Sequence, residues 1–218
     1  MAYKLAIFDL DGTLLDTIAD LGTSVNLALA AKGLPQHEIE AYKMMVGHGM
    51  RNLVRNASPE AVKDEPAVQE PLLEQFFVEY GKHIADHTVP YPGIVSMLER
   101  LDSAGVRMAV ASNKFQQGTE TLIGMMFPQI PFTDVLGNKP GAPLKPDPQV
   151  VELIMKNAGV SAAQTVMVGD SGTDIKTAKA AGIDCIAVSW GFRPKAELEA
   201  SCDVVVDSAE ELEKAILH

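Results

Sequence analysis

The chain has 218 residues, 47% of them hydrophobic and 22% charged, which suits one sizeable domain or a domain carrying an insert and excludes a disordered chain. Its 18 basic and 29 acidic residues leave a formal charge of -11, a field that repels nucleic acid, with no basic run to offset it. No stretch is apolar and long enough for a signal peptide or a membrane span, and Cys185 and Cys202 form neither a disulfide framework nor a C-x-x-C metal site. A cytoplasmic protein is expected, with each thiol acting as a small buried apolar group.

In chain order, Leu5-Ala6-Ile7-Phe8 is a short apolar run that stops at Asp9 and is broken by Asp11-Gly12. Residues 16–89 contain no convincing strand and read as helices over Ile18–Lys32, Glu38–Val46, Met50–Ala57 and Pro66 to about His87. His83 and His87 then fall on one helix face. Pro90-Tyr91-Pro92-Gly93 reads as the return hinge. Further apolar runs follow at 106–111, 165–168, 185–188 and 204–206, with a weaker one at 134–136. None alternates, as expected of strands buried on both faces. Helices are expected over Ile94–Ala104, Asp147–Ala158 and Asp174–Ala181, each closed by a glycine, and after the capping-box sequence Ser208-Ala209-Glu210-Glu211.

Strands alternating with helices imply an α/β fold: a Rossmann-like parallel sheet with helices on both faces, plus an inserted helical cap domain. The expected division is residues 1–15 and 92–218 for the catalytic core and 16–91 for the cap. Ligands of such a sheet bind beyond the carboxyl ends of its strands. Those ends carry Asp9-Leu10-Asp11-Gly12-Thr13, then Ser112-Asn113-Lys114, then Gly169-Asp170-Ser171-Gly172-Thr173-Asp174, with Lys145-Pro146 on the approach to the last. Carboxylates gathered in one place raise the cost of ionising one another, so the pattern calls for a hard cation. Mg²⁺ suits it, because it takes oxygen ligands and shares its shell with a substrate phosphate. Asp9 then serves as nucleophile and Asp11 as general acid and base, while Ser112 and Lys145 bind the non-bridging phosphate oxygens. Lys139-Pro140 repeats the Lys145-Pro146 dipeptide, but the tail Pro146-Asp147-Pro148 and the helix after it favour Lys145. Lys114 reads as solvated.

Taken together, Asp9-Leu10-Asp11-Gly12-Thr13-Leu14, Ser112-Asn113, Lys145-Pro146 and Gly169-Asp170-x-x-x-Asp174 resemble the four motifs of the haloacid dehalogenase superfamily, in order and over nearly the whole chain. The resemblance implies that Asp9 and Asp170 are side-chain metal ligands. It also implies that Asp11 binds the metal through its backbone carbonyl, that Asp174 supports the metal or its waters, and that Thr13 shapes the loop. The hydrolytic dehalogenases lack the second aspartate of the first motif, so Asp11 places the chain with the phosphatases. Leu15-Asp16-Thr17 and Val46-Gly47-His48-Gly49 are most similar to phosphoglycolate phosphatase-like enzymes, in which a Gly-x-Gly cap turn influences substrate choice. Gly47, Gly49 and Arg51 in the cap, with Thr13 and Asn113 in the core, are the candidate substrate-binding residues. The expected partner is a small phosphorylated metabolite, with neither nucleic acid nor membrane, and monomer and homodimer both stay open. A phosphomutase or phosphoryl transferase (β-phosphoglucomutase-like) and a non-catalytic phosphate-binding module are the alternatives.

Overall fold

A computed structural model describes residues 3–218. They fall into two compact units, one of residues 3–16 with 90–218 and one of residues 17–89. The first unit is an α/β core. Its strands are β1 (Leu5–Phe8), β4 (Arg107–Phe115), β5 (Asp134–Asn138), β6 (Thr165–Gly169), β7 (Asp184–Val188) and β8 (Val205–Val206). The remaining short strands, β2 (Leu15–Asp16) and β3 (Val89–Pro90), pair with each other as a separate two-stranded sheet. The main sheet is parallel throughout, in the order β5-β4-β1-β6-β7-β8.

β1 is central because every one of its side chains is apolar. Leu5, Ala6, Ile7 and Phe8 are all fully buried, at about 1.5–3 kcal/mol for each of the large ones. Leu5 and Ile7 pack in one cluster with Val151, Ile154 and Ala178, which belong to α6 (Gln149–Ala158) and α7 (Gly172–Ala181). The other helices of this unit are α4 (Ile94–Ser103), α5 (Gln116–Met126), α8 (Lys195–Glu199) and α9 (Ala209–Leu217). The chain leaves β1 for β4 on one side and returns to β6 on the other. Strand order therefore reverses beside β1, which opens a crevice at its carboxyl end.

The second unit is helical: α1 (Ile18–Ala31), a 3₁₀ turn over Ile39–Met44, α2 (Met50–Ala57) and α3 (Pro66–His83). Asp20, 2% exposed, ties its two ends together. The carboxylate accepts from the backbone N–H groups of His87 and Thr88 and from the Thr88 hydroxyl, at 2.7–3.0 Å. Among the described residues no helix is long and apolar enough to cross a membrane.

Several expected boundaries moved. The stretch 38–46 forms only the 3₁₀ turn, and α3 stops at His83, whose ring meets Asp86, so His87 is not on that helix. α5 and α8 went unnoticed: the first is short of periodic apolar residues, and the second is a single turn. β4 continues four residues past Ala111 because Ser112, Asn113 and Lys114 are buried despite their polarity. The capping box forms as read, with the Glu211 N–H donating to Ser208 Oγ and Glu211 Oε2 accepting from the Asp207 N–H.

Removing the Asp20 carboxylate strands three donors, two of them on buried Thr88. Asp20→Ala is expected to cost about 2–4 kcal/mol, read as a lower urea midpoint of unfolding, with Asp20→Asn losing less.

Candidate active site

The three strands beside the crevice each deliver polar side chains just past their last apolar residue. Asp9 follows β1, and its N–H donates to the Val168 carbonyl of β6 at 2.9 Å. Ser112, Asn113 and Lys114 sit on β4, and Asp170 follows β6. Phe8 pairs with both Val110 and Val168, so Ser112 and Asp170 each stand two residues beyond a register partner of the residue before Asp9. Ligand oxygens of Asp9, Asp170 and Asp174 lie within 4.8 Å of one another.

At that spacing two carboxylates repel by roughly 3 kcal/mol in a protein-like medium, before any cost of burial. The acidity of the groups reflects this. Asp9 is pushed up to about 7 by burial above all, which outweighs the lowering by Lys145, with smaller upward pushes from the charges of Asp174 and Asp11. Asp170 is raised well above the usual carboxylate range by burial, then by Asp174 and Asp9. Lys145 is the internal counter-charge. Its ammonium lies 3.0 Å from Asp9 Oδ1 and donates to Asp174 Oδ1 at 2.7 Å, with its side chain 2% exposed. Lys139, its rival in the sequence, is exposed, so Lys145 is the lysine at the site.

Backbone and loop contacts hold these groups. Asp9 Oδ1 accepts from the Leu10 N–H at 2.7 Å. The Asn113 amide clamps the Lys145 backbone twice, donating to its carbonyl at 3.0 Å and accepting from its N–H at 2.8 Å. That engagement makes Asn113 a support for the lysine loop. The Lys145-Pro146 bond is cis. Asp174 is fully buried, and its second oxygen accepts from the Ser171 hydroxyl at 2.7 Å. Gly12, at φ +82°, lets the first motif turn against Asp170, where an added Cβ would come 2.3 Å from Oδ2. Thr13 is buried, and its carbonyl accepts from the Trp190 indole N–H at 3.1 Å.

Two parts of the site escaped the sequence reading. Lys114, expected in solvent, has a side chain 0% exposed, and its ammonium donates to both Asp11 oxygens at 2.9 and 3.1 Å. The mistake came from giving a strand-end lysine the default surface role, although the same strand-end rule had selected its neighbours. The other part is the loop after β7. The Phe192 N–H donates to Asp170 Oδ2 at 2.7 Å, and a Cβ on Gly191 would come 2.3 Å from Asp170 Cβ and 2.4 Å from the Gly12 carbonyl. Applying the strand-end rule to β7 would have flagged Ser189-Trp190-Gly191. Gly47, Gly49 and Arg51 belong to the helical unit. There Gly47 and Gly49 have positive φ, and the exposed Arg51 pairs with Glu70.

Four carboxylates (Asp9, Asp11, Asp170, Asp174) face two ammonium groups (Lys114, Lys145), leaving two negative charges. All-oxygen donors with a deficit of two positive charges fit one hard divalent cation. Asp9 and Asp170 are the side chains with oxygen to spare, because both Asp174 oxygens are occupied and the Asp11 carboxylate is on Lys114.

A carboxyl whose pKa is raised in the fold destabilises it wherever the group is forced to ionise. For Asp9 the unfolded value is 3.8 and the folded value about 7, so the cost accrues as pH rises between these and stays at its full size above. The metal-free protein is therefore expected to lose thermal stability between about pH 4 and pH 7. Asp170→Asn, which removes one charge while keeping an acceptor for the Phe192 N–H, should flatten that loss in a pH series of melting curves. An unchanged slope would show that the carboxylates do not strain one another.

Haloacid dehalogenase-like hydrolases, as a family model, match residues 6–188. The phosphoglycolate phosphatase of Mesorhizobium japonicum is 35% identical over 227 aligned positions, covering 100% of both chains. That of Pseudomonas syringae pv. tomato is 40% identical over 202, covering 89% of this chain and 73% of its own. A crystal structure of a candidate phosphoglycolate phosphatase from Lactobacillus delbrueckii subsp. bulgaricus superposes with a TM-score of 0.94 at 37% identity, covering 100% of this chain and 99% of that one. A match over most of the chain makes this protein a member of the haloacid dehalogenase-like hydrolase family.

Proposed function

We propose that the chain is a Mg²⁺-dependent phosphatase that hydrolyses a small phosphorylated metabolite, with phosphoglycolate the first substrate to test, through an aspartyl-phosphate on Asp9. The observation that carries this reading is the gathering of Asp9, Asp170 and Asp174 around Lys145 at the crevice beside β1. The names of its relatives support the choice of substrate.

Asp9 and Asp170 would hold the cation, with Asp174 fixing Lys145 and supporting the shell. Bound there, Mg²⁺ supplies charge neutralisation that lets an anionic nucleophile approach an anionic phosphate. Asp9 attacks phosphorus as the bond to the ester oxygen breaks, and Asp11 gives that oxygen a proton so that it departs as an alcohol. A water molecule then attacks the phosphorus of the acyl phosphate and loses its proton to Asp11, which frees inorganic phosphate and restores Asp9. Lys145 and the Ser112 hydroxyl bind the non-bridging oxygens, where negative charge spreads during both steps. Lys114 keeps the Asp11 carboxylate in one place. Its exchange for an uncharged side chain should slow both proton transfers.

The inserted helical unit is proposed to act as the cap that selects the substrate, since it leaves the core directly after the first motif. Arg51 would meet a substrate carboxylate only after leaving Glu70. Exposed ion pairs of this kind are worth at most about 1 kcal/mol, so a new ionic contact readily offsets the loss.

The deciding experiment is phosphate release from a panel of phosphorylated metabolites, with Mg²⁺ and with a chelator, beside Asp9→Asn. Turnover that needs Mg²⁺, is led by phosphoglycolate and vanishes in Asp9→Asn is expected. An isomerised product with little free phosphate would replace the phosphatase by a mutase. Lys114→Met is expected to lower kcat about 10–100-fold with KM changed far less. An equal loss in KM would assign Lys114 to substrate binding instead.

A further inference from the structure

The two cysteines of the chain lie side by side near the start of β7. Cys185 is the second residue of β7, and Cys202 follows α8 just before β8. β7 and β8 are parallel neighbours, Ala187 opposite Val205, which brings the segment before β8 alongside the start of β7. The Cys202 thiol donates to the Cys185 carbonyl at 3.5 Å and to the Val204 carbonyl at 3.3 Å, and both cysteines pack in one apolar cluster with Ala187 and Leu198.

Two further features separate this pair from inert buried thiols. Both line a surface cleft of about 600 Å³, with Tyr3, Lys179, Asp184 and Asp203 among its other walls, so a small polar oxidant can reach the sulfurs. The chemistry is also asymmetric. The Cys202 thiol is pushed down to about 6, first by the Cys185 thiol beside it, against the effect of burial. Cys185 is pushed up by Cys202 and by burial. These opposite directions suit Cys202 to the attacking role and Cys185 to the resolving one.

We propose that Cys185 and Cys202 form an oxidisable dithiol on the α/β core, which a small peroxide converts to an intramolecular disulfide. In the first step the Cys202 thiolate attacks a peroxide oxygen. The O–O bond breaks, one oxygen leaves as water after taking up a proton, and Cys202 becomes a sulfenic acid. In the second step the Cys185 sulfur attacks the Cys202 sulfur and expels the hydroxyl, which leaves as water with the Cys185 proton. Two thiols lose two electrons in all, and hydrogen peroxide is reduced to two waters. Thiol exchange with a low-molecular-weight thiol returns the pair to the reduced state.

The test is stoichiometric hydrogen peroxide on the folded full-length protein, followed by intact-mass measurement and non-reducing peptide mapping. The expected product has lost two hydrogen masses and carries a Cys185–Cys202 crosslink that dithiothreitol removes. In Cys185→Ser the crosslink should be absent and dimedone should trap a sulfenic acid on Cys202, whereas Cys202→Ser should leave Cys185 unlabelled. Two results would overturn the proposal. One is a folded protein that stays unmodified under conditions that crosslink it in urea. The other is conversion of the cysteines to separate sulfinic acids with no crosslink. The first measurement uses the unaltered chain, so it decides between these outcomes even where a variant folds poorly.

Discussion

Everything at the crevice follows from an electrostatic debt placed at the end of one buried strand. Asp9 stands immediately after four apolar residues with no access to water, and Asp170 and Asp174 come within 4.8 Å of it. Such a group persists only where each oxygen has a donor or a cation, because unpaired buried charge costs several kcal/mol. The Leu10 and Phe192 N–H groups, the Ser171 hydroxyl and the Lys145 ammonium are those donors, and the two charges left over are the opening for a divalent ion.

The local backbone is shaped by the same requirement. Gly12 and Gly191 bracket Asp170 so closely that neither tolerates a Cβ, and Gly169 would bring one to 2.3 Å from the Asp174 side chain. Asn113 gives its whole amide to the backbone of Lys145, which carries the one buried cation bridging Asp9 and Asp174. Stability and function here oppose each other: the raised pKa values of Asp9 and Asp170 reflect work the fold has done to bury carboxylates and keep them together. The dithiol near the start of β7 lies apart from that arrangement, since the loop that grips Asp170 leaves the other end of the strand.

Much of this was legible in the chain. Apolar runs without alternation identified the buried strands, and the break in that pattern between residues 16 and 89 marked the helical insert. Aspartates after the first and fourth of those runs, a serine after the second and a lysine before the fourth named the chemistry. These features are local. A strand buried on both faces must be apolar, and a carboxylate cluster must be written as aspartates at strand ends.

Tertiary structure alone decided the pairings. That Lys114 faces Asp11, and that Lys145 bridges Asp9 and Asp174, depends on how β4 and the loop before α6 pack beside β1. A lysine has the same local pattern whether it ends in water or on a carboxylate. The grip of Gly191 and Phe192 on Asp170, and of Cys202 on Cys185, joins residues from separate elements through sheet register. The amino-acid sequence thus determined which groups this protein has and at which strand ends they emerge. Which charge neutralises which was left to the fold, because Coulomb and hydrogen-bond energies depend on distances through space, and residues more than a hundred positions apart in the chain have no local signature of being neighbours.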